Sequence, residues 1–126
     1  MSLVLITGAN GQLGRSIQKI KNDFPEFNFL FTDVEDLDIT NINEIESCFK
    51  ETKPYGLINC AAYTAVDRAE EEKEKASLIN EKAVYNLGQV CEKYNTYLLH
   101  ISTDFVFDGQ KRTPYLESDP ANPISE

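Results

Sequence analysis

The sequence predicts an α/β fold: a Rossmann-like doubly wound parallel sheet that runs through about its fourth strand. Three observations carry this. Short apolar runs alternate with helix-period stretches in the order β-α-β-α-β-α-β. The first run opens directly into a loop of regularly spaced glycines. An acidic residue, Asp33, stands at the end of the second run.

Taken in order, Leu3-Val4-Leu5-Ile6-Thr7 is continuously apolar and β-branched until Gly8 stops it, which suits a strand buried on both faces. Leu13, Ile17 and Ile20 follow at helical steps and predict a helix over about 11–22 with these three residues inward. Residues 29–32 read as a second strand. Asn41, with Glu44 three positions on, predicts the start of a helix that turns Ile42, Ile45 and Phe49 inward and ends before Pro54. Residues 56–60 form the third strand and 61–67 a loop. A long helix is expected over 69–94, with its Glu- and Lys-rich start solvated. Residues 97–102 are the fourth strand, and the remainder, with Pro114, Pro120 and Pro123, reads as loop. Parallel strands need right-handed crossovers, which place helices on both faces. In a sheet ordered 3-2-1-4-5-6 a fifth strand would cover the fourth; here the fourth is expected as an exposed edge.

The 126 residues amount to one domain or part of one. Twelve basic residues against 21 acidic ones leave a net charge of −9, which argues against nucleic acid or an anionic membrane as main partner. One small phosphorylated ligand remains compatible, because backbone N–H groups bind phosphate locally. No apolar run approaches the ~18 residues of a membrane span. No Lys or Arg precedes the run 3–7, unlike a secretory signal, so a cytoplasmic location is expected. Cys48, Cys60 and Cys91 are an odd, widely spaced set, expected to be reduced and packed as small hydrophobes. His100, the only histidine, is expected as a core or edge residue and not as an acid catalyst.

Gly8, Gly11 and Gly14 are spaced by threes within Gly8-Ala9-Asn10-Gly11-Gln12-Leu13-Gly14. Gly8 permits the tight strand-to-helix turn, Gly11 lets backbone approach a pyrophosphate, and Gly14 lets the helix pack closely on the sheet. The helix then points its unpaired N–H groups at the phosphates. No Gly-Lys-Ser/Thr follows, which excludes a Walker loop. A carboxylate at Asp33 can accept hydrogen bonds from both ribose hydroxyls and repels a 2′-phosphate, so NAD(H) is favoured and NADP(H) stays open. The bland alternative is that Asp33 only caps a loop.

Several segments together resemble one family. Residues 6–14 are similar to the opening of the extended short-chain dehydrogenase/reductases. Asp38-Ile39-Thr40, Asn59-Cys60-Ala61-Ala62-Tyr63-Thr64-Ala65-Val66-Asp67, Asn80 and His100-Ile101-Ser102-Thr103-Asp104-Phe105-Val106-Phe107-Asp108-Gly109 narrow the likeness to the dTDP-4-dehydrorhamnose reductases. The resemblance implies NAD(P)H-dependent reduction of the C4 keto group of a 4-keto-6-deoxysugar nucleotide, with that nucleotide sugar as partner and homo-oligomerisation left open. It implies that Asn10, Gly11, Gln12 and Leu13 line the pyrophosphate and that Asp38 and Ile39 flank the adenine. Ala61, Ala62, Tyr63 and Thr64 would line the nicotinamide side. Thr103 would be the catalytic hydroxyl and Asp104 a substrate contact. Ser16 stands where some members carry a metal-binding glutamate, so no metal is expected; Phe105 stands where the family often has tyrosine.

The family takes its proton from a tyrosine in a Tyr-x-x-x-Lys pair, and none of Tyr55, Tyr63, Tyr85, Tyr94, Tyr97 or Tyr115 has a lysine four positions on. Residues 1–126 are therefore expected to be the NAD(P)-binding part of such a reductase, inactive alone. The competing reading is a non-catalytic binding subunit of the same fold, like the regulatory subunit of methionine adenosyltransferase.

Overall fold

The computed structural model describes residues 2–61 and 81–101. Within them the chain runs β1 (Ser2–Thr7), α1 (Gln12–Ile20, continued by a 3-10 turn at Lys21–Asp23), β2 (Phe27–Phe31), α2 (Ile42–Thr52), β3 (Gly56–Asn59), α3 (Ala83–Lys93) and β4 (Tyr97–His100). All strand pairs are parallel and the order is β2-β1-β3-β4. The doubly wound parallel α/β class is as the sequence predicts. The strand placement is not. The third strand in the chain pairs with β1, and no described strand lies outside β2. The reason lies in the segment after β2, where Leu37 and Ile39 are buried in the core instead of extending the sheet. The chain then crosses β1 through α2. All four residues of β4 are exposed, at one end of the described sheet.

Side chains alternate across each strand. Leu5 and Leu57 face α2 and α3, where they join Ile45, Phe49, Leu87 and Val90 in one core. Val4, Ile6 and Ala9 face the other way, with the half-buried Ile17, Phe29 and Ile58 against them. α1 therefore covers one face and α2 with α3 the other. Three inward expectations fail. On α1, Leu13 is 41% and Ile20 48% exposed, and among the described residues nothing covers the sheet beside Ile20. Ile42 is 40% exposed as the first residue of α2, at the open end of the helix.

The ends of α2 show why it forms where it does. The Asn41 side chain accepts hydrogen bonds from the N–H groups of Asn43 (3.0 Å) and Glu44 (3.4 Å), satisfying two first-turn donors. Glu44 completes no capping box: its carboxylate accepts from the Asp38 N–H at 3.4 Å. Lys53 adopts a left-handed conformation (φ 46°) and returns its N–H to the Phe49 carbonyl, closing the helix before Pro54. α3 and α2 meet through Phe49 and Tyr94, whose ring centroids are 5.9 Å apart, and through an ion pair between Lys93 and Glu46. The part of the expected long helix over 69–80 lies outside the described residues. All three cysteines are free thiols, and burial pushes the Cys91 thiol up from its ordinary 9.0 to about 11.

Candidate functional site

Because every strand is parallel, the carboxyl ends of β1, β2, β3 and β4 lie along one edge of the sheet, where α/β folds of this kind bind ligands. The glycine turn leaves β1 at this edge. Gly8 has φ +67°, and a Cβ there would lie 2.4 Å from the backbone nitrogen of Ala61. Backbone thus meets backbone, and only glycine fits. A Cβ at Gly14 would lie 2.5 Å from Ala9, so α1 presses directly on the turn that precedes it. Gly11 differs from both. A Cβ there would touch only the Gly8 carbonyl, at 3.4 Å, and otherwise point into open space.

Gly11 is also the N-cap of α1. No side chain caps this end, and its first turn contains no acidic residue. The first-turn N–H groups of a helix have no partner within it, and here they carry the positive end of the helix dipole. Asn10, Gly11, Gln12 and Leu13 are all exposed. A pyrophosphate fits these features: backbone donors, room at Gly11 and no competing carboxylate in the turn.

Asp33 stands beside this turn at the end of β2. Its Oδ2 accepts the Asn10 N–H at 2.9 Å and its Oδ1 the Val34 N–H at 2.8 Å. The carboxylate therefore fastens the glycine loop to β2 while each oxygen keeps a further lone pair for a hydroxyl. The loop is held a second time by the Ala9 N–H, which donates to the Thr32 carbonyl at 3.0 Å, and by Gln18, whose side-chain amide donates to the Ala9 carbonyl at 3.0 Å. Asp38 accepts from both the N–H (3.0 Å) and the hydroxyl (2.6 Å) of Thr40. Ile39 is 8% exposed and packs into the core, so only its backbone is free to meet a ligand.

On the other side of the turn, Ala61 is half-buried and donates its N–H to the Asn59 side chain at 3.2 Å. That same Asn59 oxygen accepts the Thr7 hydroxyl at 2.6 Å, and the Asn59 amide meets Nδ1 of His100 at 3.1 Å. Thr7, Asn59 and His100 are the last residues of three neighbouring strands and pair in register. This buried tie went unread in the sequence, although polar residues ending three apolar strands were a signal that could have found it. It makes His100 a polar edge residue, bonded inward at an exposed position. Ala62, Tyr63, Thr64, Thr103 and Asp104 lie outside the described residues. The structure brings together Gly8, Asn10, Gly11, Gln12, Leu13, Gly14, Asp33 and Ala61.

The profile of one protein family, described as the RmlD substrate binding domain, matches residues 1–126. A dTDP-4-dehydrorhamnose reductase of Aggregatibacter actinomycetemcomitans is 44% identical over 124 residues, which is 98% of this chain and 42% of the relative. A crystal structure of a dTDP-4-dehydrorhamnose reductase from Clostridium acetobutylicum superposes with TM-score 0.92 at 46% identity, over 98% of this chain and 44% of that one. A Bacillus anthracis dTDP-4-dehydrorhamnose reductase, solved in complex with NADP, gives 0.93 at 40% identity, over 99% of this chain and 45% of that one. The chain spans about two fifths of the length of the curated relatives it matches.

Proposed function

Since the chain belongs to the RmlD substrate-binding domain family, we propose that it is the coenzyme-binding part of an NAD(P)H-dependent sugar-nucleotide reductase. The reaction is reduction of the C4 keto group of dTDP-4-dehydro-L-rhamnose to dTDP-L-rhamnose. The observation that carries this reading is the contrast within the glycine turn. Two glycines are locked by backbone contact, and the third opens an uncapped helix end to solvent.

In this reading Asn10, Gly11, Gln12 and Leu13 line the pyrophosphate, which takes the backbone N–H groups of Gln12 and Leu13, while those of Asn10 and Gly11 are given to Asp33 and the Gly8 carbonyl. Asp33 accepts the adenosine ribose hydroxyls on its remaining lone pairs, and the negative charge of its carboxylate favours NAD(H) over a 2′-phosphorylated coenzyme. Asp38 and the Ile39 backbone border the adenine, and Ala61 to Thr64 border the nicotinamide. The bound coenzyme supplies hydride to the carbonyl carbon. Thr103 follows the fourth strand and donates a hydrogen bond to the carbonyl oxygen, where negative charge develops, with Asp104 beside it on the sugar. A proton must also reach that oxygen, and none of the six tyrosines has the lysine partner that would lower its pKa for the task. The chain by itself is therefore expected to bind coenzyme and not to turn over.

Titration calorimetry with NADH and NADPH tests this. Both should bind weakly, NADH the more tightly. Gly11→Val places its Cβ in the open side of the turn, 3.4 Å from the Gly8 carbonyl, and should weaken both by about tenfold or more. Asp33→Asn keeps an acceptor for the Asn10 N–H and removes the charge, and should narrow the preference for NADH. Wild-type chain that binds neither coenzyme, or binding unchanged by Gly11→Val, would overturn the coenzyme reading. Turnover of a 4-ketosugar nucleotide by the 126-residue chain alone would overturn its inactivity.

A further inference from the structure

The ends of β1, β3 and β4 are joined by side chains as well as by the backbone ladder. Asn59 is 1% and Thr7 2% exposed. The Asn59 side-chain oxygen accepts the Thr7 hydroxyl at 2.6 Å and the Ala61 N–H at 3.2 Å. Its nitrogen lies 3.1 Å from Nδ1 of His100. One amide therefore touches the strand on either side of its own and the backbone two residues further on.

The donors fix the direction of each bond. A backbone N–H only donates, so the atom facing Ala61 is the amide oxygen and the nitrogen faces His100. That nitrogen offers only hydrogens. Nδ1 must therefore accept, which leaves it unprotonated, and a neutral ring then keeps its proton on Nε2. The Ala61 N–H, acting through Asn59, dictates the tautomer of a ring on the next strand.

The bond to His100 stands where the ladder loosens. Between β1 and β3 the Cys60 N–H still reaches the Thr7 carbonyl at 3.0 Å. Between β3 and β4 the Ile101 N–H lies 3.4 Å from the Asn59 carbonyl, at the long limit of a hydrogen bond. The Asn59 amide supplies a second tie at that point. Ala61 opens the segment that borders the nicotinamide in the reading above, and Thr103 follows His100 by three positions. Hydride transfer depends on the separation of these two segments, and a misplacement of about 1 Å can cost about 100-fold in rate.

We infer that Asn59 and His100 are positioning residues: the amide holds His100 as a neutral ring protonated on Nε2, and the pair sets the spacing between the Ala61 end of β3 and the strand end that leads to Thr103. They act through those two segments and not by touching coenzyme or substrate. The positioning role rests on the reading of this chain as the coenzyme-binding part; the ring assignment does not.

His100 is the only histidine, so isotopic labelling of histidine nitrogen gives one pair of ring resonances in the NMR spectrum. At about pH 8, where an ordinary imidazole is neutral, Nδ1 should resonate as the unprotonated nitrogen and Nε2 as the protonated one. Asn59→Asp keeps an acceptor for Thr7 and Ala61, replaces the donor by an oxygen, and should move the proton to Nδ1. A protonated Nδ1 in the wild-type chain, or a ring indifferent to Asn59→Asp, overturns the inference. Calorimetry on variants of the exposed His100 gives a second arm that does not depend on Asn59→Asp folding. His100→Leu should weaken NADH about fivefold or more and leave ADP, which lacks the nicotinamide half, within about twofold. His100→Gln, whose side-chain oxygen can accept from Asn59, should recover much of that loss. Equal loss of NADH and ADP, or loss of neither, overturns the positioning role. A wild-type chain that binds neither ligand overturns the coenzyme reading and the positioning role with it, while the ring resonances still decide the tautomer.

Discussion

On the face covered by α2 and α3, Leu5, Ile45, Phe49 and Leu87 reach zero exposure, and Leu57 comes within 1% of it. On the α1 face of the same strands, Phe27, Phe29, Phe31 and Ile58 stay half-buried around a smaller cluster. The strands supply both faces alike, because β1 and β3 alternate apolar residues to either side. What differs among the described residues is the cover: two helices on one side and one on the other. The unequal burial therefore belongs to the connections and not to the strands, and side-chain identity alone does not reveal it.

The sharpest way to break this comparison is to delete one aromatic ring from each face. Phe49→Ala should cost about 3–5 kcal/mol, the usual range for a fully buried ring, whereas Phe29→Ala on the open face should cost clearly less. Urea unfolding of the two variants measures this, and equal losses would mean that both faces are closed in solution. A smaller effect is expected from Thr7→Val. The substitution keeps the shape of the side chain but removes the hydroxyl that donates to Asn59, for about 1–2 kcal/mol. An unchanged midpoint would show that the tie across the strand ends contributes nothing to the closed side.

The last expected effect, absent at neutral pH, is a pH dependence that separates the thiols. Cys91, on the closed face, is held protonated by burial up to about 11. An unfolded thiol ionises from its ordinary value of 9.0, so between these two values the unfolded chain releases a proton that the native chain keeps. Stability should be intact below that window and fall as pH rises through it, and Cys91→Ser should flatten the fall. Cys60, packed at the margin of the open-face cluster, should be alkylated faster than Cys91 in the native protein. Equal rates would contradict the difference in cover.

Much of this was legible beforehand. Continuous apolar runs marked β1 and β3, and the Asn41 cap placed α2, because those signals are local. The outward position of Leu13 and Ile20 was not legible, since helical periodicity says which residues share a side and not whether anything covers it. The path after β2 was hidden for a related reason: nothing local in Leu37 and Ile39 announces that tertiary packing draws them into the core. At the candidate site, spacing identified the three glycines and their separate roles, but not the neighbours that enforce them. Gly8 and Gly14 are constrained by Ala61 and Ala9, contacts that exist only once the chain has folded back on itself.

The approach of Gly8 to Ala61 has a consequence for how such a chain can change over generations. Two turns separated by 52 residues share one surface with no side chain between them, so a substituent at the first position displaces the second. A lineage that replaced Gly8 would have to reroute the chain at Ala61 in the same step. Position 8 can change only if the backbone at Ala61 moves with it.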